Sequence, residues 1–163
     1  MRILTVIVTH NRALLLERCL EHLKNQTVSP EKVLVINNAS TDNTENILEK
    51  RSIEFITQEN LGSAGGWHRG IEYGLKNQFD AIWLMDDDGY PDKNALNILI
   101  NTLKNQEIAC VSSVVLKEHV PDQFVFPFPK LDSKGFPVLF SIKRKIRGIN
   151  ELSKITFTNN LYP

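Results

Sequence analysis

The chain has few features that would assign it to a specialised class. Only two cysteines, Cys19 and Cys110, occur in 163 residues. That excludes a disulfide framework and a cysteine-based zinc site, and it fits a reducing compartment. There is no excess of charge: 19 basic residues balance 19 acidic ones. A net charge of zero gives no broad electrostatic attraction to nucleic acid, so no nucleic-acid partner is expected. No apolar run reaches spanning length. "MRILTVIVTH" carries one charge and too short an apolar stretch for a signal peptide, and it reads as a first strand. Hydrophobic residues make up 42% and charged residues 23%, an ordinary globular composition long enough to bury one core.

The first half alternates two periodicities. β-Branched or apolar runs at 3–9, 32–37, 52–58, 79–86 and 108–116 suit strands buried on both faces. Between them lie segments of helical period. In the first, Leu15, Cys19 and Leu23 share a face, with Asn11 placed as its cap; Thr41 or Asp42 would cap the second and Asp92 the last. In the third, Gly66, Gly70 and Gly74 recur every fourth residue. Each glycine costs a helix roughly 1 kcal/mol relative to alanine, so the stripe suggests close approach to a sheet or a ligand. Strand–helix alternation with short connections predicts an α/β doubly wound, mostly parallel sheet flanked by helices. The expected organisation is one domain, with 1–118 as the α/β half. Residues 119–163, rich in proline and without helical period, would form loops and short antiparallel strands.

Ligands of such sheets bind beyond the carboxyl ends of the strands. The polar clusters fall there: "THNR", "NNASTDN", "QENLGSAGG" and "DDDGYPD". Three consecutive aspartates repel one another unless a cation offsets them. On an extended strand end Asp86 and Asp88 would point together and Asp87 away. The pair would suit Mg²⁺ or Mn²⁺ completed by a diphosphate. The alternative is a solvated acidic turn; its position at a strand's carboxyl end favours the metal. An EF-hand fails, because its first and last ligands would be Leu84 and Ala95. Gly62, Gly65 and Gly66 at a helix entrance would let backbone N–H groups approach an anion, with Arg69 one turn on; packing and an ordinary exposed arginine are the alternatives. The amide of Asn37 or Asn38 matches an imide edge such as uracil's, with a simple capping turn nearly as good an account.

These clusters, in this order, resemble the family 2 glycosyltransferases and their GT-A fold. The matching stretches are "VIVTHNR", "VINNASTDNT", "ENLGSAGGWHRG" and "WLMDDDGYP", and they cover about the first 105 residues. "NLGSAGG" with "DDD" looks like bacterial galactofuranosyl- and rhamnosyltransferases. The resemblance implies inverting transfer of a sugar from a nucleotide diphosphate donor, a UDP-sugar or dTDP-rhamnose, to a saccharide or lipid-linked acceptor in cell-surface polysaccharide or glycolipid synthesis. It implies that Thr9, Asn11 and Arg12 line the nucleotide pocket and that Asn37, Asn38 and Asp42 hold the base. Asn60, Gly62, Gly65 and Gly66 would shape the donor site, with Arg69 near the diphosphate. Asp86 or Asp87 would meet ribose or metal, and Asp88 would be the main ligand of Mn²⁺ or Mg²⁺.

Two departures stand out. The family usually has aspartate where this chain has Asn37. The family's general base lies past the metal motif, and Glu118, Asp122, Asp132 and Glu151 stand in no recognisable setting, so the chain is expected to end before its base. "KRKIR" at 143–147 offers a contact with an anionic membrane surface, the expected location being cytoplasmic, at the inner face of the plasma membrane; a solvated basic loop is the simpler account. The competing functions are a non-catalytic nucleotide-sugar binding module and a sugar-phosphate nucleotidyltransferase. The latter would need a glycine-rich basic loop after the first strand, which "THNRALLLERC" does not provide.

Overall fold

The computed structural model describes residues 1–104, 108–130 and 145–152. The chain forms two compact units, one from Met1 to Val111 and one from Ser112 onward. The first unit contains β1 (Ile3–Thr9), α1 (Ala13–Lys24), β2 (Lys32–Asn38), α2 (Thr44–Lys50), β3 (Glu54–Gln58), α3 (Gly62–Lys76), β4 (Ala81–Asp86) and α4 (Ala95–Leu103). Its four strands are all parallel, in the order β3-β2-β1-β4.

β1 is buried along its whole length, and this explains its unbroken apolar run. Successive side chains go to opposite faces. Leu4, Val6 and Val8 join Leu34 and Ile36 of β2 on the face that receives Trp67 and Tyr73 of α3. Ile7, Val35 and Met85 lie on the other face, against Leu16, Cys19, Leu20 and Leu23 of α1 and Leu48 of α2. Helices therefore cover both faces, as the doubly wound reading expects. Each such side chain, fully buried, contributes about 1.5–3 kcal/mol.

The glycine stripe of α3 faces the sheet. A Cβ on Gly66 would meet Val8 Cγ1 at 2.5 Å, and one on Gly74 would meet Ile82 Cδ1 at 2.5 Å; Gly70 lies in the same way on Val6. Of the two alternatives for the stripe, close approach to the sheet is the one realised.

Two strands start later than their sequence pattern suggests. β3 begins at Glu54 and β4 at Ala81, because the preceding helices end in left-handed turns at Ser52 (φ 53°) and Gln78 (φ 56°). The amides of Ile53 and Phe79 then reach back to the carbonyls of Leu48 and Gly74, closing each helix without a glycine. Asn11 does not cap α1. It too has a left-handed backbone (φ 53°), and Arg12 stands at the N-cap position without a side-chain bond.

The expected fifth strand over 108–116 is not formed among the described residues. Leu116–Lys117 is instead a short strand, β5, of the second unit. It pairs antiparallel with β6 (Val120–Pro129), which pairs antiparallel with β7 (Lys145–Gly148); α5 (Ile149–Leu152) follows. The β-rich reading of the C-terminal part thus holds, and the apolar run 108–116 ends in it. Of the basic stretch 143–147, Lys145, Ile146 and Arg147 lie in β7. Lys143, Arg144, Asp132 and the run 154–163 lie outside the described residues.

Candidate nucleotide and metal site

The parallel register brings the polar strand ends to one edge. Thr9 is level with Asn37, Val8 with Asp86, and Asn38 with Gln58. β4 stops at Asp86, and the amide of Gly89 donates to the Asp86 carbonyl at 3.1 Å, so 86–89 is a turn. Strand alternation therefore does not extend to Asp88.

The turn distributes the three carboxylates unequally. Asp87 is 3% exposed. Thr9 Oγ1 donates to its Oδ2 at 2.8 Å, and Arg12 Nη1 donates to its Oδ1 at 3.2 Å. The same Arg12 nitrogen donates to Asp88 Oδ2 at 3.3 Å. Asp88 is otherwise open to solvent, and Asp86 is exposed with no hydrogen bond to its carboxylate among the described residues. What offsets the repulsion of the three charges within the protein is thus the guanidinium of Arg12. It does so incompletely. Burial, then the charges of Asp88 and Asp87, push the Asp86 carboxyl above its ordinary range. Burial also pushes Asp87 up; the hydrogen bonds from Thr9 and Arg12 oppose this without cancelling it. Arg12 in turn is held more firmly protonated by its bond to Asp87. The cluster favours a further cation. Asp86 and Asp88 supply hard oxygen donors of the kind that hold Mg²⁺ or Mn²⁺ together with substrate phosphates. Among the described residues no group of three or more His, Cys, Asp or Glu is placed to hold a metal ion.

Cys19 is buried beneath the turn. Burial, reinforced by Asp87 and Asp88, pushes its thiol up to about 12.

The two asparagines behave differently from the imide reading. Asn37 is fully buried. Its Nδ2 donates to Glu45 Oε1 at 3.0 Å and Thr57 Oγ1 at 3.3 Å, and its Oδ1 accepts from the Ser40 amide at 3.0 Å. Both of its N–H groups are committed, so it has no donor left for a base. Asn38 is 2% exposed; it donates to the Gly62 carbonyl at 3.1 Å and accepts from Gln58 at 2.9 Å, tying β2 to the start of α3. Glu45 gives a reason for Asn37: an aspartate there would face a second carboxylate at hydrogen-bonding distance.

Asp42 links two helix starts. Its Oδ2 accepts from the Ala13 amide at 2.9 Å, and its Oδ1 accepts from the Thr44 amide at 3.1 Å and the Thr44 hydroxyl at 2.5 Å. Asn11 Oδ1 accepts from the Thr41 amide at 2.7 Å, and the Asn11 amide donates to Ser40 Oγ at 3.0 Å. Asn11, Arg12 and Asp42 also line a groove of about 720 Å³ between α1 and α2, with Leu14, Ile47 and Lys50.

At the start of α3, Gly62 has φ 69° and donates to Asn60 Oδ1 at 3.0 Å. Nothing lies within 4 Å of its Cβ position, while its amide is bonded to Asn60 and its carbonyl to Asn38. Gly65 faces Leu61 and Gly66 is buried on Val8. Arg69 is exposed, 3.7 Å from Glu72 of its own helix. The structure thus joins Thr9, Arg12, Asp87 and Asp88 directly, and laces Asn11, Asn38 and Asp42 around them. It shows no contact of Arg69 with the acidic turn. Sequence reasoning missed His10, whose Nδ1 lies 2.6 Å from the Asn38 carbonyl, and Glu45. Their nearness to the "THNR" and "NNASTDN" clusters was the only signal.

The model of the family "Glycosyl transferase family 2" matches residues 5–154. The chain is 31% identical over 126 residues to galactofuranosyltransferase GlfT1 of Mycolicibacterium smegmatis, a match covering 75% of this chain and 42% of that protein. The chain therefore spans less than half the length of this curated relative. Among solved structures, it resembles the mannosyltransferase PcManGT of Pyrobaculum calidifontis in complex with GDP-Man and Mn²⁺, with a TM-score of 0.52, 21% identity, and 71% and 36% of the two chains covered. It also resembles TarS 1-349 of S. aureus in complex with UDP, with a TM-score of 0.50, 20% identity and coverage of 72% and 40%. At these identities the structural likeness shows the GT-A fold.

Proposed function

The chain belongs to glycosyl transferase family 2, and from that premise we propose that it carries the donor half of a glycosyltransferase: a site for a nucleotide diphosphate sugar, a UDP-sugar in the first instance, used in bacterial polysaccharide or glycolipid synthesis. The observation that carries this reading is the Thr9–Asp87–Arg12–Asp88 cluster at the carboxyl edge of the parallel sheet. The relatives support it: GlfT1 is named a galactofuranosyltransferase, and solved structures of like fold hold GDP-Man with Mn²⁺ and UDP.

In this reading Asp86 and Asp88 hold the cation, and Thr9 keeps Asp87 turned inward so that it orients Arg12 instead of competing for the metal. Mn²⁺ or Mg²⁺, when bound, would act as a Lewis acid on the departing diphosphate. Arg12, half exposed, is free to swing from Asp88 toward a phosphate and form charge-assisted hydrogen bonds. α3 starts at Gly62, and a helix N-terminus favours an anion, although the Gly62 amide itself is bonded to Asn60. With Asn37 committed to the protein, base contacts fall to Asn11, Asp42 and main-chain groups beside them. Inversion requires a general base for the acceptor hydroxyl; the reading assigns none, and nucleotide binding is the property to test. The acceptor would be a saccharide or lipid-linked hydroxyl. No helix among the described residues is long and apolar enough to cross a membrane. Residues 143–147 are the proposed basic segment for contact with an anionic membrane surface.

Calorimetric titration of UDP with and without Mn²⁺, on wild type and Asp88→Ala, tests this. The expected result is metal-dependent binding that disappears in the variant. Absence of binding in wild type would refute the donor site. Binding without any metal-dependent hydrolysis of a UDP-sugar would reduce the function to a nucleotide-sugar binding module.

A further inference from the structure

We infer that Gln26 is a positioning residue for the acidic turn, and that α1 acts as the splint that holds the turn and the loop after it in place. The functional half of this inference rests on the donor-site reading above. The segment from Asp87 to Asn94 lacks helix and strand, yet it must hold the carboxylates that the proposed chemistry uses. It is gripped residue by residue from α1 and the turn that follows. Arg12 binds Asp87 and Asp88. The Arg18 guanidinium lies 3.9 Å over the Tyr90 ring, and the His22 ring sits 5.4 Å from that ring. His22 Nδ1 is 3.3 Å from the Pro91 carbonyl. The Thr27 amide donates to the Lys93 carbonyl at 2.8 Å. Cys19, His22 and Gln26 follow helical spacing, so one face of α1 and its continuation meets the loop from Asp86 to Asp92.

Gln26 is the buried amide of this set, 7% exposed. Its Nε2 donates to the Asp92 carbonyl at 2.7 Å, and its Oε1 accepts from the Leu96 amide at 3.0 Å. The Leu96 amide is one of the donors that a helix start leaves without an intrahelical partner. α4 has no side-chain cap from its own N-cap residue, Asn94. Gln26 supplies the bond from another element, and with its second hydrogen bond it pins the far end of the loop. Arg12 and Thr9 pin the near end. Nothing in Gln26 reaches the carboxylates, so its influence on them passes through the loop backbone. Removing it would leave the Asp92 carbonyl and the Leu96 amide without this partner, a cost borne locally by the loop and the first turn of α4.

The test uses the full chain with Gln26→Met, which keeps length and apolar volume, and Gln26→Glu, which keeps the acceptor for Leu96 and loses the donor to Asp92. Two quantities are read: amide hydrogen exchange by segment, and the affinity for UDP in saturating Mn²⁺. The expected result for Gln26→Met is faster exchange over 87–96 with β1 and β2 protected as in wild type, and UDP affinity weaker by about tenfold, the low end of what loss of support behind metal ligands causes. Gln26→Glu sets a buried carboxylate against the Asp92 carbonyl and should weaken UDP binding at least as much; it serves as the test should Gln26→Met fail to fold. Exchange raised uniformly across the first unit would show a merely structural role and overturn the inference. Unchanged affinity in a variant of a wild type that binds UDP would overturn it while leaving the donor reading intact. A wild type that binds no UDP overturns the donor reading and the functional half of the inference together.

Discussion

Replacing Gly66 with alanine sets two opposed effects against each other. The helix interior gains about 1 kcal/mol from the change, because alanine restricts the unfolded chain and glycine does not. Against this, the new methyl carbon would sit 2.5 Å from Val8 Cγ1, 2.7 Å from Cγ2 and 3.2 Å from Cβ. Carbon atoms pack best at about 3.5–4.0 Å, so α3 must lift by about 1 Å or Val8 must move. Val8 is β-branched, with one strongly preferred rotamer and a methyl on each side of the clash. It is 6% exposed on the strand beside β2 and β4, so rotation drives one methyl into a neighbour as it withdraws the other. Overpacking of this kind costs about 1–3 kcal/mol, which exceeds the propensity gain at its upper end. The expected net effect is a loss of up to about 2 kcal/mol. Urea unfolding followed by tryptophan fluorescence measures it, since both tryptophans, Trp67 and Trp83, belong to the first unit. Val8→Ala should be less harmful in the Gly66→Ala background than alone, with a coupling of about 1 kcal/mol for residues in contact. A Gly66→Ala protein as stable as wild type, with no coupling to Val8, would mean that α3 is not seated on the sheet at this glycine, and the ligand account of the stripe would return.

Three further outcomes follow from the same geometry. Thr5 is fully buried in β1 and its hydroxyl has no hydrogen-bond partner; Thr5→Val should therefore stabilise the first unit by about 1 kcal/mol, and a destabilised variant in urea unfolding would count against that orphan hydroxyl. Burial pushes the Asp42 carboxyl up, but hydrogen bonds from the Thr44 hydroxyl and the Ala13 and Thr44 amides outweigh it and hold the group below its ordinary 3.8. Its contribution is thus present above that value and lost as pH falls through the lowered folded pKa. Asp42→Asn should be less stable than wild type by about 1 kcal/mol at pH 7 and converge with it in acid, whereas a constant gap in thermal melts across pH would refute the linkage. Arg12 competes with an added cation for Asp88 through a half-exposed ion pair, worth about 0.2–1 kcal/mol. Arg12→Met should bind Mn²⁺ alone up to about fivefold more tightly in a titration of free Mn²⁺, and weaker binding would show that Arg12 supports the carboxylates more than it occupies them.

Much of the fold is legible residue by residue. β1, α1, β2 and α2 lie within about two residues of their patterns, because a strand buried on both faces must be apolar without interruption and a helix on its surface must repeat at 3.6. The strand starts at Glu54 and Ala81 were not legible, since Ser52 and Gln78 end their helices in a left-handed turn that usually calls for glycine. The run 108–116 carries a strand signal of which only Leu116 joins a strand, in the second unit: propensity marks extended chain but does not say which sheet it joins. Of the site, Thr9, Arg12, Asp87 and Asp88 stand in the polar clusters of the sequence and meet in the structure. The pattern at Asn37 suggests a base contact, and the side chain is instead committed to Glu45 and Thr57.

What the amino-acid sequence determined by itself is the alternation of strand and helix, the polar clusters at the strand ends, and the family. All three depend on local pattern, which neighbours along the chain are enough to express. Only the tertiary structure decided the strand order β3-β2-β1-β4, the sheet contact of the glycine stripe, the exchange of Asn37 from ligand to scaffold, and the placing of one arginine between two of three aspartates. Those depend on partners 8 to 78 residues apart, as between Asn37 and Glu45 or Thr9 and Asp87. A hydrogen bond or ion pair is set by register and burial in three dimensions, and neither is written in the spacing of a single segment.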